Sequence, residues 1–232
     1  MLTLALTTIP PRFKRLGRVL ESLLAQTIPV RVVLSVPHRY RRFVGEVSAL
    51  DLPKGVTLNL IARDFGPASK LLGVLDAPGT DEVLYCDDDC VYAPEWAETL
   101  MNARDSESEA VAVSTFPVSR IKRHAKAPYD MIAQGFAGVL VHRDMFDHRV
   151  FEVPEAGYAA DDIWLSGHLA LRNIPIRKVP QARLLCTPLP EDGPSLQTDV
   201  VHGLSRAEAN QACADALTDL FGLWPPIQSS GP

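Results

Sequence analysis

Three consecutive carboxylates, Asp87, Asp88 and Asp89, are the residues of this sequence with the clearest capacity for chemistry. Residues 83–86 before them are mostly apolar and an apolar pair follows, which is typical of a short buried strand ending at a site. Adjacent carboxylates repel one another and lose solvation on burial, and a divalent cation, which prefers oxygen ligands, would offset both effects. A solvated acidic loop is the alternative interpretation of the same residues.

A second pair of carboxylates, Asp161 and Asp162, precedes an apolar helical segment. Capping of that helix and a favourable interaction with its dipole would explain Asp161. Two adjacent carboxylates exceed what capping needs, so Asp162 is a candidate general base that would deprotonate a hydroxyl group. His202, which lies between a loop and a capped helix, is either an ordinary histidine or a third metal ligand.

Cationic residues elsewhere in the chain could complement these carboxylates. Arg12 and Lys70 are either solvated helix charges or partners for a diphosphate, because cations that donate hydrogen bonds bind phosphate oxygens well. Asp64 follows a predicted strand and could hydrogen-bond a nucleobase or a ribose. The basic segment 120–126 is either a solvated loop or a contact for an anionic acceptor molecule.

These residues follow elements that alternate between strand and helix. Apolar residues at helical spacing predict a helix over residues 12–26, and the three strands predicted around and after it cover residues 2–8, 30–36 and 56–62. This alternation predicts an α/β fold with a mostly parallel central sheet and helices on both faces. Ligands of such sheets bind at the carboxyl ends of the strands, where Thr7, Thr8 and the Asp triplet lie.

The rest of the chain continues this alternation with interruptions. Further strands are predicted at residues 110–115, 135–142 and 174–179. Further helices are predicted at residues 69–75, after Pro94, from Asp161, and from a capping box at 205–208 to about Phe221. Little periodicity is present in residues 116–134 and 185–198, so both segments are predicted to be loops.

Length and composition limit the remaining possibilities. The 232 residues, 47% of them hydrophobic, predict a single domain over residues 1–224 and a disordered tail over residues 225–232. The net charge of −5 gives no support for nucleic-acid binding. No apolar run approaches the roughly 20 residues of a transmembrane helix, although peripheral membrane association stays open. The four cysteines lack Cys-x-x-Cys spacing, which predicts reduced thiols in a cytoplasmic protein.

The order of these features resembles that of the GT-A fold glycosyltransferases, which use nucleotide-activated sugars. The resemblance covers about residues 3–222 and rests on five features: Thr7-Thr8-Ile9-Pro10, the Asp triplet, Gly135-Phe136-Ala137-Gly138, Asp161-Asp162-Ile163-Trp164 and the late His202. It implies a nucleotide-binding half over about residues 1–115 and an acceptor and catalytic half over about residues 116–224. Family-2-like inverting members and exostosin-like retaining members are both similar, so the anomeric outcome is open.

The resemblance also implies a role for each matching residue. Asp87 and Asp89 would contact the nucleotide ribose and a divalent ion, Mn²⁺ or Mg²⁺, with His202 as a further ligand. Asp162 would be the base of an inverting enzyme or a positioning residue of a retaining one, and Asp161 stands beside it where Glu is more usual. Contacts with the donor are implied for Thr7, Thr8, Arg12, Asp64 and Lys70. Asp88 is expected to serve mainly the loop itself or the donor sugar.

The expected function is metal-dependent transfer of a sugar from a nucleotide sugar, with UDP as the expected nucleotide, to the hydroxyl of a saccharide or glycan. Two other functions fit the carboxylates alone. A phosphohydrolase would use Asp-x-Asp as nucleophile and acid, but such enzymes usually carry the motif after the first strand. A non-enzymatic module that binds a sugar or a cation would not need a base at Asp162.

Overall fold

The computed structural model describes residues 1–45, 47, 50–190 and 203–227. The strands within these ranges are β1 (Leu2–Leu6), β2 (Val30–Pro37), β3 (Val56–Ile61), β4 (Glu82–Tyr85), β5 (Cys90–Tyr92), β6 (Ala110–Ala112), β7 (Thr115–Pro117), β8 (Met131–Ala133), β9 (Val139–His142), β10 (Ile176–Lys178) and β11 (Cys186–Pro188). The helices are α1 (Phe13–Leu24), α2 (Ser69–Leu75), α3 (Trp96–Asn102), α4 (Asp161–Leu171) and α5 (Arg206–Phe221). Every helix in the described ranges is too short or too polar to span a bilayer.

Seven strands of the described chain form the central sheet, in the order β10, β6, β9, β4, β1, β2, β3. Strand β1 lies between β2 and β4 and is parallel to both, whereas β9 is antiparallel to β4 and to β6. All five residues of β1 are buried, as expected for a strand whose two faces are both covered. The sheet confirms the predicted α/β fold with a mostly parallel, Rossmann-like centre.

Each face of the sheet packs against its own helices, because alternate side chains of a strand point to opposite faces. Leu4 and Leu6 of β1 belong to an apolar cluster that includes residues of α1 and α3. Ala5 belongs to a second cluster that includes residues of α2, α4 and α5. Helices therefore lie on both faces, as predicted, and α2 and α4 share the face that carries Ala5.

The segment 116–134, for which the sequence predicts a loop, contains a short antiparallel hairpin. Strand β7 pairs with β8, with Thr115 opposite Ala133, and a 3-10 helix at Val118–Ile121 follows β7. Strands of three residues are too short to show periodicity in the sequence, and they depend on tertiary contacts for stability. One such contact is the 2.9 Å hydrogen bond from the Ala133 amide to the Ser166 hydroxyl of α4. The prediction of a long loop is therefore wrong.

Three other segments also differ from the sequence predictions. The strand predicted over 135–142 begins only at Val139, because residues 135–137 form a 3-10 helix. Strand β11 lies within the predicted loop 185–198 and pairs with β5. In the tail, which the sequence predicts to be disordered, the amide of Ile227 donates a hydrogen bond to the Lys122 carbonyl at 3.0 Å. Residues 228–232 lie outside the described ranges.

Gly138 allows the close approach of the main chain to Trp96 at the start of β9. Its φ is +111°, and a Cβ placed there would lie 2.4 Å from a ring carbon of Trp96. The indole is fully buried and donates a 2.9 Å hydrogen bond to the Ala137 carbonyl, so it has little freedom to move. Glycine at this position thus meets both a backbone and a packing requirement.

We therefore expect Gly138→Ala to lower the free energy of unfolding by about 1–3 kcal/mol or more, measured by urea denaturation. Gly17→Ala is the matched control, since a Cβ at this position in α1 would lie within 4 Å of no atom beyond its chain neighbours and the backbone of its own helix. It should raise the free energy of unfolding by about 0.5–1 kcal/mol, because alanine favours the helix. Equal stability of Gly138→Ala and the unmodified protein would contradict the packing argument.

Candidate active site

A cleft of about 790 Å³ lies at the carboxyl ends of β1 and β4, beside the first turns of α4 and α5. Its lining includes most of the residues that the sequence predicts as site residues: Thr7, Thr8, Arg12, Asp64, Asp87, Asp88, Asp89, Asp161 and Asp162. Lys70 is buried beneath this surface and contacts two of these carboxylates. His202, the predicted third metal ligand, lies outside the described residues.

Asp88, the middle carboxylate of the triplet, is occupied by contacts within the protein. One of its oxygens accepts a 2.5 Å hydrogen bond from the Thr8 hydroxyl, and the other accepts a 2.5 Å hydrogen bond from the Arg12 guanidinium. The Asp88 side chain is 6% exposed, whereas those of Asp87 and Asp89 are 32% and 34% exposed. The two outer carboxylates are therefore available to a ligand in the cleft, and Asp88 ties β1 to the triplet.

The repulsion between carboxylates that the sequence predicts for this triplet acts on Asp89. Burial and the neighbouring carboxylates of Asp87 and Asp88 raise the pKa of Asp89 to about 6. The Arg12 guanidinium lies 3.6 Å from an Asp89 oxygen and offsets only part of this effect. A divalent cation would remove the remaining repulsion, so the chemistry of Asp87 and Asp89 fits such an ion. Within the described residues, no three His, Cys, Asp or Glu side chains already form a ligand set.

Lys70 connects the triplet to the second carboxylate pair. Its ammonium nitrogen lies 2.5 Å from an Asp87 oxygen and 2.8 Å from an Asp161 oxygen, and its side chain is 1% exposed. Burial alone would lower the pKa of Lys70, but the carboxylates of Asp161 and Asp87 raise it well above its ordinary value. The sequence suggests that Lys70 contacts a diphosphate; in the structure both of its ion pairs are internal, and it does not line the cleft.

Asp161 and Asp162 begin helix α4 but differ in their surroundings. Ala160 occupies the N-cap position, and no side chain caps the helix. The carboxylate of Asp161 therefore forms an ion pair with Lys70 and does not cap the helix. Burial opposes the charge on Asp161, yet the attraction of Lys70 and Arg206 outweighs it and lowers the pKa of Asp161. Burial and the adjacent Asp161 charge instead raise the pKa of Asp162 to about 7.

The carboxylate of Asp162 is held at the wall of the cleft. One of its oxygens accepts a 2.9 Å hydrogen bond from the amide of Gly135, and the other lies 3.7 Å from the Arg206 guanidinium. A Cβ on Gly135 would lie 2.5 Å from the Lys70 nitrogen, so only glycine leaves room for this arrangement. A carboxylate with a pKa near 7 and 14% exposure of its side chain could accept a proton from a bound hydroxyl.

Asp64 organises another part of the cleft wall. Its carboxylate accepts hydrogen bonds from the amides of Arg41 and Gly66, each at 2.8 Å, and from the Tyr158 hydroxyl at 3.0 Å. The nearby Tyr40 hydroxyl donates a 3.1 Å hydrogen bond to the Thr8 carbonyl. Because three donors of the protein already bind the Asp64 carboxylate, its role in this structure is to hold the cleft wall in place. The sequence alone suggests that Asp64 contacts the nucleotide.

Sequence reasoning missed several residues of the cleft wall, among them Tyr40, Tyr158 and Arg206. The capping box at Ser205 and Glu208 predicts the start of α5, and the structure confirms it. A cation in the first turn of a helix interacts unfavourably with the helix dipole. The position of Arg206 in the sequence therefore indicates that this residue has a role outside its own helix. That role is contact with α4 and the residues before it, since Arg206 lies 3.7 Å from Asp162 and also donates to the Ala159 carbonyl.

Comparisons with known proteins support the architecture. No family model and no curated protein matches the sequence. Among solved structures, the mannosyltransferase PcManGT from Pyrobaculum calidifontis, in complex with GDP-Man and Mn²⁺, aligns with a TM-score of 0.54 at 19% identity, over 83% of this chain and 58% of that one. TarS 1-349 from S. aureus aligns with a TM-score of 0.48 at 14% identity, over 77% of this chain and 58% of that one. The chain thus spans less than two thirds of either structure, and it shares the fold of the mannosyltransferase.

Proposed function

We propose that the protein is a metal-dependent glycosyltransferase of the GT-A type, which moves a sugar from a nucleotide sugar to an acceptor hydroxyl. The observation that carries the proposal is the bridge formed by Lys70, which joins Asp87 of the triplet to Asp161 of the second pair. Through this bridge, the carboxylates suited to a cation and the carboxylate suited to proton transfer line a single cleft. A solvated acidic loop, the alternative for the Asp triplet, would not explain why Asp161 and Asp162 lie at the same cleft.

The donor end of the site comprises the triplet and the residues after β1. Asp87 and Asp89 would hold Mn²⁺ or Mg²⁺, with His202 proposed as a third ligand and Asp87 also reaching the ribose. The bound ion would act as a Lewis acid toward the leaving diphosphate. Arg12 lies beside Asp88 and Asp89 and adds positive charge at the same place. Thr7, Thr8 and Asp64 would contact the nucleotide.

The acceptor end of the site contains Asp162. If transfer inverts the anomeric configuration, its carboxylate takes the proton of the acceptor hydroxyl as the new glycosidic bond forms and the bond between the sugar and the leaving diphosphate breaks. If transfer retains the configuration, Asp162 positions the two substrates instead. In both cases Asp161 stays ionised beside Lys70, and its negative charge helps to keep the pKa of Asp162 high.

A thermal-shift panel tests this proposal, because a ligand that binds the folded state raises its apparent stability. UDP-, GDP-, CMP- and dTDP-sugars are compared with and without Mn²⁺. We expect UDP-sugars to stabilise the protein only with the metal; PcManGT is in complex with GDP-Man and Mn²⁺, which makes GDP-sugars the second donor class to examine. Stabilisation by no nucleotide sugar, together with phosphate release from phosphomonoesters, would contradict glycosyl transfer and favour a phosphohydrolase.

A further inference from the structure

The lining of the cleft includes both Asp162 and Arg120, which follows β7 in the 3-10 helix Val118–Ile121. This short helix is attached to α5, because the Gln211 side-chain amide donates a 2.9 Å hydrogen bond to the Ile121 carbonyl. Arg206, one of the partners of Asp162, belongs to the first turn of α5. Arg120 and the candidate base Asp162 therefore line the same cleft, and the segment of each contacts α5.

Arg120 is an exposed cation whose charge is not matched by a carboxylate of the described residues. Its guanidinium lies 5.4 Å from the ring centroid of Phe116, and both side chains line the cleft. Neighbouring arginines have acidic partners: Arg123 lies 2.6 Å from Asp215 and Arg206 lies 3.7 Å from Asp162. Within the described ranges, no ion pair forms at Arg120, so its charge is available to a molecule in the cleft.

A guanidinium in cation–π contact with an aromatic ring is well suited to bind an anion. The ring attracts the guanidinium through a cation–π contact, and the exposed side chain keeps N–H donors accessible. Carboxylates and phosphates accept two parallel hydrogen bonds from such a fork. Because Asp161 and Asp162 make this cleft unfavourable for anions, a cation that faces it is needed to hold one there.

We propose that the acceptor is a saccharide with an anionic substituent, a carboxylate or a phosphate, and that Arg120 binds this substituent. The inference rests on the proposed function, because it assigns the acceptor of the same site. The anion is held and not changed: its contact with Arg120 orients the sugar so that a hydroxyl faces Asp162. Phe116 supplies the apolar surface beneath the guanidinium.

The test compares binding of three probes by saturation-transfer NMR at low salt: methyl glucuronide, glucose 6-phosphate and the neutral methyl glucoside. We expect at least one anionic probe to bind about tenfold more tightly than the neutral one, the effect of a single hydrogen bond to a charged group. Arg120→Gln should remove this preference. Lys126→Gln should keep it, because Lys126 is equally exposed but does not line the cleft.

Preference for the carboxylate or for the phosphate probe identifies which anion the site takes. The inference is overturned if the unmodified protein shows no preference, if the preference survives in Arg120→Gln, or if Lys126→Gln removes it equally. Binding of UDP with Mn²⁺ is measured in the same three proteins and should be unchanged. Failure of every nucleotide sugar of the thermal-shift panel to bind would refute the proposed glycosyl transfer, while the preference for anions would still report on Arg120.

Discussion

Replacement of Asp162 by asparagine should reduce kcat/KM for sugar transfer by about 10²–10⁴-fold, the usual contribution of a general base. Asparagine keeps the shape of the side chain and the oxygen that accepts the hydrogen bond from the Gly135 amide. It cannot accept a proton from the acceptor hydroxyl. The fold and the metal-dependent binding of nucleotide should therefore persist, since neither depends on a charge at Asp162.

The pH dependence of the unmodified protein gives a second readout of this residue. The pKa of Asp162 is raised to about 7, so the carboxyl group is protonated and inactive as a base below that pH. The value of kcat/KM should thus rise with pH through about 7 and level off above it. If the rise of kcat/KM were instead centred near the ordinary pKa of aspartate, a different group would be titrating.

Asp219→Asn is the matched control for this substitution, because Asp219 is an exposed residue of α5 that does not line the cleft. It should leave both the rate and the pH profile unchanged. Full transfer activity in Asp162→Asn would rule out the role of base. A retaining mechanism, in which Asp162 only positions substrates, would be indicated if the substitution lowered the rate and left the pH limb in place.

Replacement of Lys70 by methionine should lower the free energy of unfolding by about 3–5 kcal/mol, the range observed when one partner of a buried ion pair is removed. Methionine fills a similar volume but leaves the carboxylate of Asp161, which is 4% exposed, without its 2.8 Å partner. The pair with Asp87 adds less, because Asp87 is 32% exposed and partly solvated. Urea denaturation at neutral pH measures the change.

A second substitution separates the buried charge from the packing of Lys70. Asp161→Asn in the Lys70→Met background removes the unpaired carboxylate and should recover part of the lost stability. Lys178→Met, at an exposed position in β10, is the control and should change the free energy of unfolding by less than about 0.5 kcal/mol. A change in Lys70→Met as small as in that control would show that Lys70 is not a structural bridge.

Local signals in the sequence predicted much of the scaffold. The helix predicted over residues 69–75 is found as α2 with the same bounds, and the helix predicted from Asp161 begins at that residue. The capping box at Ser205 marks the beginning of α5. These features depend on residues within one or two turns of each other, which is why a single sequence contains the information.

The contacts that bring the site residues together could not be predicted from local patterns in the sequence. Lys70 and Asp161 are 91 residues apart, and Thr8 and Asp88 are 80 residues apart, so no local pattern pairs them. The sequence identified these residues as separate candidates, with Asp88 serving the loop or the donor sugar, but it did not predict that Asp88 pairs with Thr8 and Arg12 or that Lys70 pairs with Asp161. Strand β9 also gave no sign of its antiparallel direction, which depends on where β4 and β6 lie.

Binding of UDP, measured by titration calorimetry with and without Mn²⁺, tests most directly whether the Asp triplet holds a metal-bound nucleotide. We expect binding only in the presence of Mn²⁺, and we expect Asp89→Asn to abolish it. Asp105→Asn, in an exposed surface ion pair with Arg177, should bind as the unmodified protein does. Binding that does not require Mn²⁺, or that is undiminished in Asp89→Asn, would contradict this role of the triplet.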